Sequence, residues 1–228
     1  MPTVGDELEQ LTYQFRLRIS ALEDAAWSNG SLTEGQKHLL LLAEAAAITS
    51  LDSAAIRHHT QAARQAGCSS EEILEVAELT ATLPIHACTE GMPALAGSAG
   101  LDAGKLEAGF TVEQRAAKAR FTDSRGYWSD FWTLLLGIDP KFFESYSELS
   151  SRPWESGVLD PYFKELVYLA FDASPRHLYR PGIEIHSRNA LALGASVAQI
   201  SCVFALLSTS GRKSMDAVAS ALADGDQV

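Results

Sequence analysis

Apolar stretches with little alternation run through most of the chain. Residues 34–48, EGQKHLLLLAEAAAI, and 161–173, PYFKELVYLAFDA, are apolar nearly all round, the pattern of helices buried on every side. A second helical segment follows each of them. One opens after Asp52-Ser53, the other at Pro181, where a first-turn proline is tolerated. Both run to a glycine, Gly67 or Gly194, the residue that most readily takes the left-handed conformation past a helix end. Next comes SSEE, in which Ser69 and Glu72 have capping-box spacing, whereas Ser196 takes the corresponding cap position alone. Proline is rare inside these stretches, and the period-two alternation of strands is missing. The pattern predicts an all-α protein. In the segment GIEIHSRNALALGAS (182–196), His186 shares a helical face with Ala190 and Leu193, a face that the spacing predicts to be buried.

The chain is also written twice. His186 follows His59 by 127 residues, and the same offset pairs Trp27 with Trp154, Lys37 with Lys164 and Gly67 with Gly194. It pairs Ser69 with Ser196, Ile73 with Ile200 and Leu95 with Leu222, without a gap across about 70 positions. A fixed offset of this kind predicts a tandem duplication. The expected units are 11–98 and 138–225, related by a pseudo-two-fold, each with a helical hairpin at its heart. A charged, helix-prone connector spans 99–137.

The order K-x-L-x-x-x-A, then H-x-x-x-A, then G-[CA]-S-x-x-[EQ]-I resembles the carboxymuconolactone decarboxylase and alkylhydroperoxidase D superfamily. LPIHACTEGMPAL (83–95), FKELVYLAFDASPRHLYRPGIEIHSRNALALGAS (163–196) and DPKFFESYSELSSRPWESGVL (139–159) carry the likeness over roughly three quarters of the chain. Peroxidase-type members place C-x-x-C so that the cysteines stand seven and four residues before the histidine. Here those positions hold Asp52 and Ala55 before His59, and Tyr179 and Gly182 before His186. Dithiol peroxide reduction is therefore not expected. Decarboxylase-type members need neither cysteine nor cofactor. The resemblance thus implies a cofactor-free decarboxylase, or a related lactone or enol isomerase, acting on a small carboxylated lactone or keto acid of the kind met in aromatic-compound catabolism.

Composition narrows the partners. Eighteen Lys and Arg against 29 Asp and Glu leave a net charge of −11, which repels nucleic acid and anionic membrane. No apolar run approaches membrane-spanning length, and the start MPTVGDELEQ lacks the pattern of a secretory leader. Cys68, Cys88 and Cys202 form no short pair and suit a reduced compartment. A cytoplasmic protein is the expectation.

Against that acidic background, Arg176, His177, Arg180, His186 and Arg188 fall within thirteen residues. Two readings stand side by side. In one, His186 is a core histidine bonded to a backbone carbonyl and the arginines are a solvated surface. In the other, the second unit holds a pocket for a small anionic substrate. His186 is then the general acid or base, with His177, Tyr179 and Asp172 as further catalytic groups, and Arg176, Arg180 or Arg188 gripping a remote carboxylate. The first unit offers His59 and, at the position of Lys213, His86; His58 is expected to face solvent. His177 and His186 are nine residues apart and lack the close spacings of metal ligands, so no metal is expected. A non-enzymatic helical scaffold is the alternative. GYWSDFWTLLLGI (126–138) is aromatic enough for the surface of a homo-oligomer.

Overall fold

In the computed structural model, which describes residues 4–155 and 157–225, every regular element is helical. Contacts divide the chain into two compact units, Met1–Thr80 with Val158–Val228, and Ala81–Gly157.

The first unit holds α1 (Val4–Trp27), α2 (Glu34–Ala46), α3 (Ser53–Gln65) and α4 (Ser70–Thr80). The second holds α5 (His86–Ala99), α6 (Ala103–Ala108), α7 (Val112–Arg125), α8 (Asp130–Ile138) and α9 (Pro140–Glu155). The chain then returns to the first unit with α10 (Pro161–Asp172), α11 (Arg180–Ala192), α12 (Val197–Leu207) and α13 (Gly211–Gly225). Among the described residues, no helix is long and apolar enough to cross a membrane.

The two apolar stretches lie against each other as α2 and α10, with α4 and α12 packed on them. Every residue of α10 from Phe163 to Asp172 is buried, which accounts for its lack of a polar face. Two lysines are carried into this core. Lys164 Nζ meets Glu75 Oε1 at 2.5 Å, both side chains 2% exposed, and the other Glu75 oxygen accepts from the Leu159 amide. Lys37 donates to the carbonyl of Trp27. Each ammonium therefore keeps a partner in place of the water it lost.

Helix ends follow local chemistry. Asp52 caps α3 by accepting from the Ala55 amide. Gly67 and Gly194 have φ of 95° and 102°, and the Ser69–Glu72 capping box is formed. Ser196 is not alone at the start of α12: Gln199 completes a second box, because its amide oxygen accepts from the Ser196 backbone as a carboxylate would. Leu193, expected on the buried face with His186, is 45% exposed. It lies past the last turn of α11 as the C-cap, so the face ends before it. Ala190 on that face is fully buried.

The second unit has an aromatic core of Phe110, Phe121, Trp132, Leu135, Leu136 and Phe143. The segment 126–138, expected at a surface, supplies much of it. Trp132 is 4% exposed, and Tyr127, Trp128 and Phe131 pack against the cluster. These rings are used inside the unit, since α8 is apolar on successive turns and α5 and α9 close over it.

Candidate active site

Antiparallel packing of α10 and α11 sets residue 165 opposite 186 and residue 172 opposite 179–182. Glu165, Tyr168 and Asp172 stand at i, i+3 and i+7 on α10, one stripe of the helix. His186 comes to this stripe from α11. Its Nδ1 is 2.6 Å from Glu165 Oε2, short enough for a charge-assisted hydrogen bond, and its Nε2 is 3.8 Å from Asp172 Oδ2. The Tyr168 ring lies over the imidazole, with centroids 4.6 Å apart and 30° between planes. Asn189, one turn on from His186, donates to the second oxygen of Glu165 at 3.3 Å.

With Nδ1–H donating to Glu165, the imidazole presents Nε2 toward Asp172, a tautomer assigned from the hydrogen-bond pattern. Asp172 is fully buried. Burial first, and then the nearby charge of Glu165, push its carboxyl up to about 7 against the opposing pull of His186. An imidazole nitrogen thus faces a carboxyl whose pKa is raised to about 7, across a gap too long for a direct hydrogen bond. His177 Nε2 lies 4.0 Å from the other oxygen of Asp172, and its ring stacks on Tyr179 at 5.7 Å. Burial lowers the His177 pKa.

Of the predicted site residues, the fold brings His186, Asp172, His177 and Tyr179 together. Tyr179 is also the residue before α11, with its amide donating to the Asp172 carbonyl. The arginines do not converge on the imidazole. Arg180 is bound to Glu184 one turn along the exposed side of α11. Arg188 is exposed, and two residues from His186 a side chain points about 200° away around the helix. Arg176 is exposed and donates to the Ser50 carbonyl at 3.4 Å. His86 opens α5 and belongs to the other compact unit. His59 lies on α3, 3.1 Å from His38.

Neither Glu165 nor His38 belongs to a motif that marks it as a site residue. A lone glutamate inside an apolar helix gives no cue that it faces a partner. The available signal was the repeat. Glu165 precedes His186 by 21 residues, as His38 precedes His59, and the offset of 127 carries one pair onto the other.

The positions that would need cysteine for a dithiol have other occupants. Asp52 caps α3, and Gly182 makes room for Asp172: a Cβ at 182 would stand 1.9 Å from Asp172 Oδ2. The three cysteines are free thiols, and burial pushes the pKa of each upward, the opposite of what a thiolate nucleophile requires.

The profile of the Carboxymuconolactone decarboxylase family matches residues 14–97. Among solved structures, the chain is similar to a protein of Burkholderia xenovorans LB400 described as a "putative gamma-carboxymuconolactone decarboxylase subunit". The two share 32% identity over 99% of this chain and 92% of that one, with a TM-score of 0.86. No curated protein sequence matches.

Proposed function

Starting from the fact that the chain belongs to the carboxymuconolactone decarboxylase family, we propose that α10 and α11 carry a cofactor-free decarboxylase site for a small carboxylated lactone or keto acid. The observation that carries this reading is the array Glu165–His186–Asp172, an oriented imidazole beside a carboxyl of raised pKa.

Loss of carbon dioxide leaves an electron pair on the adjacent carbon. A conjugated carbonyl holds that pair as an enolate until a proton arrives. Glu165 fixes the ring of His186, so Nε2 is the atom that exchanges protons with substrate, while Asp172 replenishes or accepts the proton behind it. His177 and Tyr179 border the same carboxyl and supply donors to the developing oxyanion. A cation that gripped the departing carboxylate would hold back its loss, so the anchoring arginine belongs at the remote end of the substrate. Arg176, outside the Arg180–Glu184 pair, is assigned that task. The "subunit" in the description of the similar protein supports a homo-oligomer for this chain too, and the free cysteines support a cytoplasmic location.

The test is a panel of carboxylated lactones and β-keto acids assayed for carbon dioxide release by the full chain. Turnover of a panel member that falls at least about a hundredfold in folded His186→Ala supports the assignment. Full turnover in both His186→Ala and Glu165→Gln would remove it.

A further inference from the structure

A second imidazole group lies in the first unit and takes no part in the chemistry above. His38 on α2 is 7% exposed, His59 on α3 is half-buried and His58 is exposed. One ring nitrogen from each lies within 4.8 Å of the others, and His38 Nδ1 is 3.1 Å from His59 Nδ1. The chain has six histidines, and three of them meet here.

Their surroundings differ from those of His177 and His186, which lie within ion-pair distance of carboxylates. Among the described residues, no carboxylate forms a salt bridge with any of the three. The neighbours are rings: Trp27 stands 4.8 Å from His38, and His58 and His59 meet edge to face at 4.9 Å. Glu34 and Asp52 act on His38 and His59 only through space, and Asp52 is itself paired with Lys213, so the imidazoles keep their lone pairs for one another.

We propose that His38, His58 and His59 bind a late first-row divalent cation, with zinc as the reference case. Tetrahedral zinc with Zn–N bonds of about 2.0–2.1 Å holds its nitrogens roughly 3.3–3.4 Å apart, close to the 3.1 Å already present between His38 and His59. In the metal-free chain that contact is an N–H···N hydrogen bond; on metal binding the donor ring carries its proton on Nε2 instead, which frees both Nδ1 lone pairs for the cation. His58 supplies the third nitrogen from the exposed side, which is the entry path. Three protein ligands leave a fourth position for water. All-nitrogen donors select zinc, copper, nickel or cobalt over magnesium and calcium, which prefer oxygen.

The test uses the full chain, stripped with a chelator and dialysed. It is titrated with Co²⁺, read by the visible absorption of a tetrahedral ion, and with Zn²⁺ against a chromophoric competitor. The expectation is one equivalent per chain. His58→Ala, at an exposed position that does not threaten folding, should weaken binding by at least about tenfold, since loss of even an outer partner commonly costs that much. His38→Gln should weaken it further if its circular dichroism remains native. The double variant His177→Ala/His186→Ala should bind as the parent does. Failure to bind stoichiometrically, binding unchanged in His58→Ala, or binding lost in the His177/His186 variant would each overturn the proposal. None of these outcomes depends on the decarboxylase reading.

Discussion

His59 on α3 meets His38 on α2 at 3.1 Å, and His186 on α11 meets Glu165 on α10 at 2.6 Å. The backbone around the two contacts recurs in detail. Leu51 and Leu178 both have positive φ, 41° and 48°, and the amides after them donate to Ala45 and Asp172. Gly67 and Gly194 end the second helices alike. These features recur at the sequence offset of 127, and all six helices, α2–α4 and α10–α12, belong to one compact unit. What differs is the set of side chains each hairpin carries at its centre. The first holds a histidine pair and the small residues Ala45 and Ala55 where the second holds a glutamate–histidine pair, Asp172 and Gly182. One backbone arrangement thus carries two different sets of polar groups through the exchange of a few side chains on facing helices.

The two hairpins also pull stability in opposite directions with pH. Asp172 has a folded pKa raised to about 7 from 3.8. Its protonated form is the one the fold favours, so its contribution is full below about pH 4 and is lost as pH rises through 7. At 1.36 kcal/mol per unit, the loss by pH 8 is up to about 4 kcal/mol. Asp172→Asn should remove that slope, and urea denaturation of both proteins at pH 4 and pH 8 measures it. An unchanged slope in the variant would mean that the carboxyl is ionised without penalty, and the contrast between the hairpins would lose its electrostatic half.

The next effect in size concerns turnover. His186→Ala should reduce carbon dioxide release by at least about a hundredfold, near 2.7 kcal/mol of barrier, while folded His59→Ala leaves the chemical step close to parental. Rates measured on one substrate for both variants decide whether the hairpins differ in function. The reverse result would place the chemistry on α2 and α3.

Packing gives a smaller effect of definite sign. Gly182→Ala drives a methyl into Asp172, which should cost about 1–3 kcal/mol. Adding Asp172→Ala recreates the Ala45/Ala55 combination of the first hairpin and should recover most of that loss. A double-mutant cycle by thermal or urea unfolding reads the coupling. Additive losses would show that the two positions do not compensate.

The smallest effect belongs to His59. Burial first, then the charges of His58, His38 and Lys213, lower its pKa to about 4 from 6.5, with Asp52 opposing. The fold favours the neutral ring, so this contribution is complete above about pH 6.5 and is lost as pH falls toward 4. Partial exposure screens the effect to about 1–2 kcal/mol. With a chelator present, His59→Gln should show a shallower loss of stability between pH 6.5 and pH 4 than the parent, and NMR titration of the ring gives the pKa directly.

Several features were legible in the residues alone. Helical class, the hairpin pattern, the glycine stops at 67 and 194 and the absence of cysteine at 52, 55, 179 and 182 follow from short-range rules. Periodicity, caps and motif spacing act within a turn or two of the chain, so a reader of the sequence sees all their parts at once. His186 was visible for the same reason, as a polar residue on an apolar face. Its partner was not. Glu165 is 21 residues away on another helix, and only antiparallel packing of α10 on α11 sets a carboxylate beside the ring and Tyr168 over it. The same packing put Arg188 on the far side of its helix, and in the other unit the closure of α5 and α9 over α8 drew the aromatic residues of 126–138 into a core. The ionisation of Asp172 lay beyond the sequence as well. A carboxyl has its ordinary pKa in water, and here burial under α11, with Glu165 on the same stripe, moves it to neutrality.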